Sequence, residues 1–579
     1  MISLRVSALW IAPCVAAAIP LVIAPGFLFF YDVTPKIALL CCGTALSLPF
    51  VDPRPLSATR TGRWFCLLLG AMFVSLLAST IFSTRMELSV FGTNWRQFGL
   101  ITQSALLLFV FVAAADMSHG PERVRPYLQA GTVATLLIAL YGILQYLGWD
   151  PWLDPRTYHI GAAPYTIVRP PGTLGYVTYC ANYLVFGTAQ ALTLYRLDRS
   201  CKTGDRFSWP VLLSGAAALL ATLAILLSGT RAAWLALLLG GLTLVILERK
   251  RPSKRALAVN ATFAALAAIF YLSPAGLPLR SRMHWFREDP TGGARLYLWR
   301  DSLRLAARHS LLGSGPETFS IAFPLVQSRD LSRAFPEFYH ESAHNMFLDT
   351  AVSQGLPGLL ILFATVALGF GNRRNPVLLA GLVAILVCHQ FSVFTVPTAL
   401  AFLITIAMLL LPGGKPVPAS QDRRMLWLFP ISIALIFVAI RITVGDYHLA
   451  RMRSALEASR FPDAEAQYFA ARRWGSHADI WFSRKQITMR RILQALPSGI
   501  SATTTAEDPY NAWMNLGLIY AQMDNAVQTE RCIREAIATS PNWYKPHLAL
   551  AQLFLATNRQ QEGQRELQLA RDLNPAAGK

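Results

Sequence analysis

The stretch that decides the fold is residues 209–248, WPVLLSGAAALLATLAILLSGTRAAWLALLLGGLTLVILE. It contains two apolar runs, 209–227 and 232–248, separated by a short turn that ends at Arg231. A helix of about 20 apolar residues spans the roughly 30 Å hydrocarbon core of a bilayer. Because the runs are continuous and do not alternate, they predict helices rather than barrel strands. We therefore expect a helical hairpin that crosses a membrane twice.

Similar apolar runs recur through the first three quarters of the 579-residue chain. The chain is 54% hydrophobic and only 15% charged, whereas soluble domains are about 25% charged. We predict an all-α polytopic membrane helix bundle with about 12–13 transmembrane helices. The predicted spans are 7–29, 36–51, 64–83, 98–115, 126–147, 175–195, 209–227, 232–248, 256–273, 345–370, 376–393, 396–412 and 425–443.

Positive charge is distributed unevenly over the short loops between these spans. One alternate set of loops, together with the N-terminus, collects roughly 20 Lys and Arg residues against roughly six in the other set. This bias predicts a cytoplasmic N-terminus, with 148–174, 228–231 and the long loop 274–344 outside. With an odd number of spans, the C-terminal region also lies outside.

The net charge of +20 belongs largely to these loops. With no basic stripe interleaved with aromatics, the sequence predicts no nucleic-acid partner.

The composition turns polar after about residue 445, where two repeats with a period of about 34 residues are readable. The first carries Trp513, Leu516, Gly517, Tyr520, Ile533, Ala536 and Pro541, and the second Leu550, Ala551, Phe554, Gly563, Leu567, Ala570 and Pro575. The pattern resembles the tetratricopeptide repeat, with 447–476 as a degenerate third copy; a plain helical tail is the alternative. We predict a membrane domain over 1–444 and a tetratricopeptide-like helical solenoid over 445–579. Such solenoids bind protein partners.

Three arginines, Arg169, Arg231 and Arg295, fall on the predicted outer side, against the charge bias. A charge at a membrane boundary is costly unless it is paired or solvated. The guanidinium fork matches phosphate oxygens bidentately, and a lipid diphosphate places its phosphates at this depth. Anchoring of the chain at the interface is the simpler alternative for any one of them. Their shared outward position favours phosphate binding.

A histidine opens a predicted span from the outside, in the sequence His340-Glu-Ser-Ala-His344-Asn345. An imidazole with a pKa near 6.5 can accept a proton from a hydroxyl group at neutral pH. His344 is therefore a candidate general base, with a structural interface histidine as the alternative.

Eight cysteines without a CxxC pair predict neither a disulfide framework nor a cysteine metal site.

The same residues also fit the pattern H-E-x-x-H. On a helix this spacing puts His340 and His344 on one face for zinc, with Glu341 as the general base. Zinc needs a third protein ligand, for which His389 and Asp349 are candidates. A polytopic membrane zinc metalloprotease is therefore an alternative, although neither candidate is followed by a recognisable zincin pattern.

Four segments together resemble the O-antigen ligase/polymerase superfamily. His344-Asn345, nine residues and then Gly355-Leu-Pro-Gly358 is similar to its H-[NSQ]-x9-G-x-x-G signature. The other three segments are Arg169-Pro-Pro-Gly-Thr-Leu-Gly175, Ser228-Gly-Thr-Arg231-Ala-Ala-Trp234 and the region from Arg295 to Phe319. The resemblance covers about residues 30–412, and the segments occur in the family's order.

The resemblance implies a GT-C-like bundle in the bacterial inner membrane. It also implies a cofactor- and metal-independent, inverting transfer of glycan from undecaprenyl diphosphate to a hydroxyl. In that chemistry His344 would be the general base, and Arg231 and Arg295 would hold the diphosphate. Arg169 and Asn345 would be further substrate contacts. The active site and the C-terminal domain would face the periplasm.

The resemblance leaves three acceptors open: the lipid A core, as in lipopolysaccharide biosynthesis, a growing glycan, or a protein side chain. A lipid-linked glycan transporter is an alternative of another class, in which the outer arginines would contact a lipid-linked anion in transit. Against the transporter, the sequence has no pair of Gly/Pro-broken spans that would suggest inverted repeats.

Overall fold

The computed structural model describes residues 2–160, 167–200, 208–249, 262, 265, 268–281, 293–337, 339–371, 375–410 and 428–577. Nearly all regular structure in these ranges is helical. The helices are α1 (Ile2–Ala18), α2 (Thr34–Ser47), α3 (Arg54–Ala58), α4 (Arg60–Ile81), α5 (Met86–Phe91), α6 (Leu100–Met117), α7 (Pro121–Tyr146), α8 (Val177–Ser200), α9 (Trp209–Leu227), α10 (Arg231–Glu248), α11 (Arg295–Arg308), α12 (Phe319–Ala322), α13 (Arg329–Ala334), α14 (Met346–Phe370), α15 (Pro376–Cys388), α16 (Val396–Leu410), α17 (Phe429–Glu457), α18 (Phe461–Arg473), α19 (Asp479–Thr488), α20 (Ile492–Thr505), α21 (Pro509–Ala521), α22 (Ala526–Thr539), α23 (Tyr544–Ala556) and α24 (Gln560–Leu573). Two short strands, β1 (His159–Ile160) and β2 (Ile167–Val168), pair antiparallel.

Seven of the described helices are long and apolar enough to cross a membrane: α4, α6, α7, α9, α10, α14 and α17. Three shorter apolar helices accompany them, Thr34–Phe50, Pro376–Cys388 and Val396–Leu410. The prediction of an all-α polytopic membrane protein is confirmed. Fewer helices meet this criterion than the about 12–13 spans predicted from hydropathy. In the first predicted span, 7–29, the helix ends at Ala18 and turns follow. Most of 256–273 lies outside the described residues.

The spans pack closely where small residues face one another. A Cβ added to Gly240 on α10 would lie 3.0 Å from the Cβ of Ala384 on α15. A Cβ added to Gly381 on α15 would lie 2.5 Å from the Cβ of Ala189 on α8. Small residues let helix backbones approach closely, which stabilises bundles in lipid through van der Waals contact. The α8–α15–α10 group is therefore held at fixed distances.

A backbone break divides α14 into two parts. Gly355 has φ +67° and ψ −165° in the middle of this helix. Pro357 has no N–H to donate to the carbonyl of Ser353 four residues earlier. That carbonyl instead accepts hydrogen bonds from the N–H of Gly315 at 3.1 Å and from Ser79 Oγ at 2.5 Å. The long loop is therefore fixed at Gly315 to the break in α14.

Replacing Gly355 with Ala is expected to destabilise the protein by about 1–3 kcal/mol, because essentially only glycine adopts this backbone conformation. The added Cβ would also lie 2.7 Å from backbone atoms of Ser310 and Leu311. Thermal unfolding of the detergent-solubilised protein measures the loss. The control is Gly241→Ala in α10, where a Cβ meets nothing within 4 Å. An equal Tm for the two variants would contradict the role of the break.

The long loop has a small core of its own. Leu298, Leu305 and Phe323 are buried together with Ala343 and Val352. The last two belong to the segment that leads into α14 and to α14 itself. The hydrophobic effect thus holds the loop helices against the start of α14. Residues of the loop are held rigidly relative to that span.

The last span continues beyond the bundle as one helix. α17 is 29 residues long. Asp446, near its middle, accepts hydrogen bonds from the backbone N–H of Phe30 at 3.1 and 3.2 Å. Farther along, Leu449 and Met452 are buried with Tyr468 of α18. The helix therefore leads directly from the membrane bundle into the C-terminal helices.

The C-terminal helices form successive hairpins. α22 and α24 begin at Ala526 and Gln560, a spacing of 34 residues. Cys532 of α22 is buried with Leu516 and Ile519 of α21. This arrangement agrees with the predicted periodicity. The assignment of residues 445–579 to a tetratricopeptide-like repeat stays a prediction.

These helices pack against the long loop. Ser320 Oγ donates a hydrogen bond to the backbone oxygen of Glu507 at 2.6 Å. Asn542 Nδ2 donates to the backbone oxygen of Gln327 at 2.7 Å. The backbone N–H of Asn94, in the loop between α5 and α6, donates to Glu507 Oε2 at 2.8 Å. The C-terminal helices therefore lie at the same end of the bundle as the long loop.

Glu507 lies half-buried at this junction. Burial, with Asp508 and Glu341 nearby, raises the pKa of Glu507 to about 8. A carboxyl whose pKa is raised on folding stabilises the fold fully below its unfolded pKa. That stability is lost as the pH rises through the folded value.

We expect the wild-type Tm to fall between pH 5 and pH 8, and the Tm of Glu507→Gln to fall less because the amide carries no proton to lose. Unfolding scans at the two pH values measure the difference. Glu535→Gln, on an exposed face of α22, is the control and should follow the wild type. Parallel wild-type and Glu507→Gln curves would show that Glu507 is ionised in the fold.

Candidate active site

His344 lies in a non-helical segment, 339–345, directly before α14. Its φ of +48° is unusual for a residue with a side chain. Its Nδ1 lies 3.4 Å from Ser342 Oγ. Burial and the two cations Arg295 and Arg96 lower the pKa of His344 to about 4. The imidazole is therefore neutral at pH 7 and able to accept a proton.

Arg295 begins α11, and this helix is fixed to the segment that carries His344. Trp299 Nε1 donates a hydrogen bond to the carbonyl of Ala343 at 3.1 Å. The guanidinium carbon of Arg295 lies 5.8 Å from the ring centre of Phe391. Arg295 acts electrostatically on His344. The structure therefore brings these two predicted residues together.

Sequence reasoning missed a third cation at this place. Arg96, which is 7% exposed, forms ion pairs with Glu317 at 2.5 Å and with Asp349 at 3.2 Å. Glu317 Oε2 also accepts from the backbone N–H of Thr93 at 3.1 Å. Arg96 belongs to a predicted outer loop, so the outward position that singled out the other arginines could have found it. Its ion pairs join the loop before α6, the long loop and α14 around His344.

Arg169 is connected to this cluster through two aromatic rings. Its backbone N–H donates to the carbonyl of Tyr158 at 2.9 Å, next to the β1–β2 pairing. Its guanidinium carbon lies 5.5 Å from the ring centre of Tyr176. The rings of Tyr176 and Tyr179 are 5.5 Å apart, and Tyr179 lies within electrostatic range of Arg96. Arg169 therefore borders the same region.

Arg231 is the first residue of α10. Leu227, four residues earlier, is buried in a cluster with Tyr158 and Val168. Val168 directly precedes Arg169, so Arg231 and Arg169 lie at the same end of the bundle. The N-terminus of a helix carries partial positive charge, to which Arg231 adds a full charge. This end of α10 is suited to an anion.

The side chain of Asn345 makes hydrogen bonds within the protein. Its Oδ1 accepts from the backbone N–H groups of Phe347 and Leu348 at 3.0 and 3.2 Å, which caps α14. Its Nδ2 donates to Gln390 Oε1 at 3.0 Å. With both ends of the amide occupied, Asn345 orients the segment that carries His344. Direct contact with a substrate would require these bonds to break.

The helical context that a zinc site needs is not formed by His340-Glu341-x-x-His344, because 339–345 is not helical. The ring of His340 packs edge-on against Phe323 with ring centres 5.4 Å apart. Burial and the neighbouring His344 lower the pKa of His340 to about 4. Within the described ranges, no group of three or more His, Cys, Asp or Glu side chains could hold a metal ion.

Comparison with known proteins yields two matches. A family model described as O-Antigen ligase matches residues 216–363, a range that contains Arg231, Arg295 and His344. The chain is also similar to the exopolysaccharide production protein ExoQ of Rhizobium meliloti (strain 1021). The two are 26% identical over 323 residues, which cover 53% of this chain and 67% of the relative. Together with the helical membrane bundle, these matches show that the chain is similar to membrane proteins of the O-antigen ligase/polymerase type.

Proposed function

We propose that the protein transfers a glycan from undecaprenyl diphosphate to an acceptor hydroxyl, with His344 as the general base. The observation that supports this most is the hydrogen bond from Trp299 to the carbonyl of Ala343, which fixes the helix that begins at Arg295 beside the segment of His344. Arg295 and burial lower the pKa of His344 there. The base takes the hydroxyl proton as the hydroxyl oxygen attacks the anomeric carbon. The bond from that carbon to the diphosphate oxygen breaks, and the diphosphate leaves on the opposite face. The anomeric centre is therefore inverted.

The cations around His344 tune its strength as a base. In the free protein, burial, Arg295 and Arg96 keep its pKa at about 4. A bound diphosphate would offset the charge of the guanidinium groups, and a nearby anion raises the pKa of an imidazole. His344 would become a stronger base once the donor is in place. Proton removal is thereby coupled to donor binding.

The arginines would stabilise the leaving group. In this assignment Arg295 and Arg231 bind the diphosphate oxygens and stabilise the charge that develops on them. Arg231 acts together with the N-terminus of α10. Arg169 supplies a further phosphate or glycan contact beside Tyr176. Because guanidinium groups provide the positive charge, the reaction as proposed needs no metal ion. Asn345 is a positioning residue in this scheme.

The orientation follows from the charge bias of the loops and from the family's chemistry. We place the N-terminus in the cytoplasm, and the site and the C-terminal helices at the periplasmic face of the inner membrane. Residues 1–444 form the transferase domain in this proposal. The tetratricopeptide-like helices of 445–579 would hold a protein partner or the glycan close to the site.

The acceptor decides what the product is. The relative's name, an exopolysaccharide production protein, favours a growing glycan over the lipid A core or a protein. Deletion in the native host, followed by gels of lipopolysaccharide, exopolysaccharide and glycoprotein, tests this. Single-repeat product indicates a polymerase, whereas polymer left on its carrier indicates a ligase. Loss of glycoprotein alone indicates a protein acceptor. Unchanged gels would contradict the proposed function.

A further inference from the structure

A pocket lies where the long loop meets the C-terminal helices. Its cavity volume is about 140 Å³, and the cavity is partly open to solvent. The loop supplies residues between Phe323, directly after α12, and His340. The C-terminal region supplies residues from the start of α21 and from around the start of α23. The pocket is therefore formed only when the two parts of the chain pack together.

Three aromatic rings form one wall of this pocket. The rings of Tyr339 and Tyr510 have centres 6.3 Å apart, and those of Tyr510 and Trp543 are 5.1 Å apart at 73°. Such rings combine a broad apolar face with a polar edge. A pyranose ring has a matching shape, since its C–H groups form an apolar face and its hydroxyls a polar rim.

Amide and hydroxyl side chains surround the aromatic wall. Gln327 Nε2 donates to Ser332 Oγ at 2.9 Å, and Asn542 Nδ2 donates to the backbone oxygen of Gln327 at 2.7 Å. Asn511, also in the lining, donates to Asp508 at 2.6 Å. An amide oxygen has two lone pairs, and a hydroxyl can donate or accept. These groups suit hydroxyl-rich ligands.

The charged residues in the lining favour an uncharged ligand over a phosphate. Glu337 Oε2 is paired with Lys545 Nζ at 2.7 Å, so the two charges offset each other. At one end the pocket reaches His340, which lies within electrostatic range of His344. His344 itself is not part of the lining, so a ligand in the pocket would leave the proposed catalytic base free.

We infer that this pocket binds pyranose residues of the glycan chain, packed against Tyr339 and Trp543, a short distance from the transfer site. The identity of the glycan rests on the proposed function. Such a subsite would retain the chain between successive transfers. The C-terminal helices would then contribute directly to polymer length.

Direct binding tests the inference without requiring catalysis. The probe is an oligosaccharide released by mild acid from the host's own surface polysaccharide. The protein is the full chain carrying His344→Ala, and saturation-transfer NMR reports the contact. Trp543→Ala is expected to weaken binding at least ~10-fold, and Trp543→Phe to restore most of it. In cells, Trp543→Ala alone should shorten the polymer while single transfers continue.

Two further variants separate the pocket from general damage. Phe469→Ala removes an aromatic side chain that is 54% exposed on α18, outside the pocket, and should bind like the parent. Gln327→Ala keeps the backbone bond to Asn542 and should weaken binding even if Trp543→Ala unfolds. The inference is overturned if the parent binds no oligosaccharide, or if neither pocket variant weakens binding. Activity of the His344→Ala chain would instead refute the proposed function and leave the binding result standing.

Discussion

Replacing His344 with Ala is expected to reduce glycan transfer by at least ~100-fold, the usual contribution of a general base. The imidazole is neutral beside Arg295 and Arg96, and no other group would take the hydroxyl proton in the proposed mechanism. The measurement is transfer by purified protein from a lipid diphosphate donor, with Tm recorded to show that the fold persists. Transfer at the wild-type rate by the variant would refute the base assignment.

Two controls sharpen this result. His309→Ala changes another histidine of the long loop and should leave transfer unchanged. Glu341→Gln should also retain transfer. Loss of activity in this variant, together with zinc bound to the wild-type protein, would favour the metalloprotease alternative.

The pH profile provides a further check, since transfer falls as pH drops below the pKa of the base. As the pH is lowered, we expect kcat/KM, which reports the free protein, to fall near pH 4. We expect kcat, which reports the donor complex, to fall already at a higher pH, because bound donor raises the pKa of His344.

Replacing Arg295 with Ala is expected to lower kcat roughly 100- to 1,000-fold, the loss seen when one group that stabilises developing charge is removed. Arg295→Lys should recover only part of the activity, because an ammonium group keeps the charge but lacks the bidentate fork. The Ala variant should also raise the pKa of His344, because one of the cations that lowers it is gone. Titration of the imidazole by NMR measures that shift.

The matched control for Arg295 is Arg308→Ala, at the exposed end of the same helix. It removes an equal charge from α11 outside the cluster around His344. If both variants lose activity equally, the effect belongs to the overall charge of the loop. If only Arg295→Ala loses activity while its Tm stays unchanged, the diphosphate assignment is supported.

Hydropathy predicted the helices well where apolar runs are uninterrupted. The predicted spans 209–227 and 232–248 agree closely with α9 and α10, since a continuous apolar run has one stable conformation in lipid. The first predicted span, 7–29, was too long. It includes Pro20 and Gly26, and the chain leaves the helix at Ala18. Average hydropathy does not register such local breaks.

The site could be predicted only in part. His344 and the arginines were recognisable because charged groups at a membrane boundary are unusual in any sequence. The ion pairs of Arg96 join residues more than 200 positions apart in sequence, and no local pattern carries that information. The sequence shows the motif Gly355-Leu-Pro-Gly358. The contact of Gly315 with the break at Gly355 is visible only in the folded chain.

The uninterrupted helix α17 has a mechanical consequence. Beyond Asp446 it rises about 1.5 Å per residue as a stiff post, and the C-terminal helices are mounted on its far end. A flexible tether would let them sample many heights above the bilayer. The post sets one height and one facing direction. A molecule bound to those helices is thus held at a constant distance from the membrane surface.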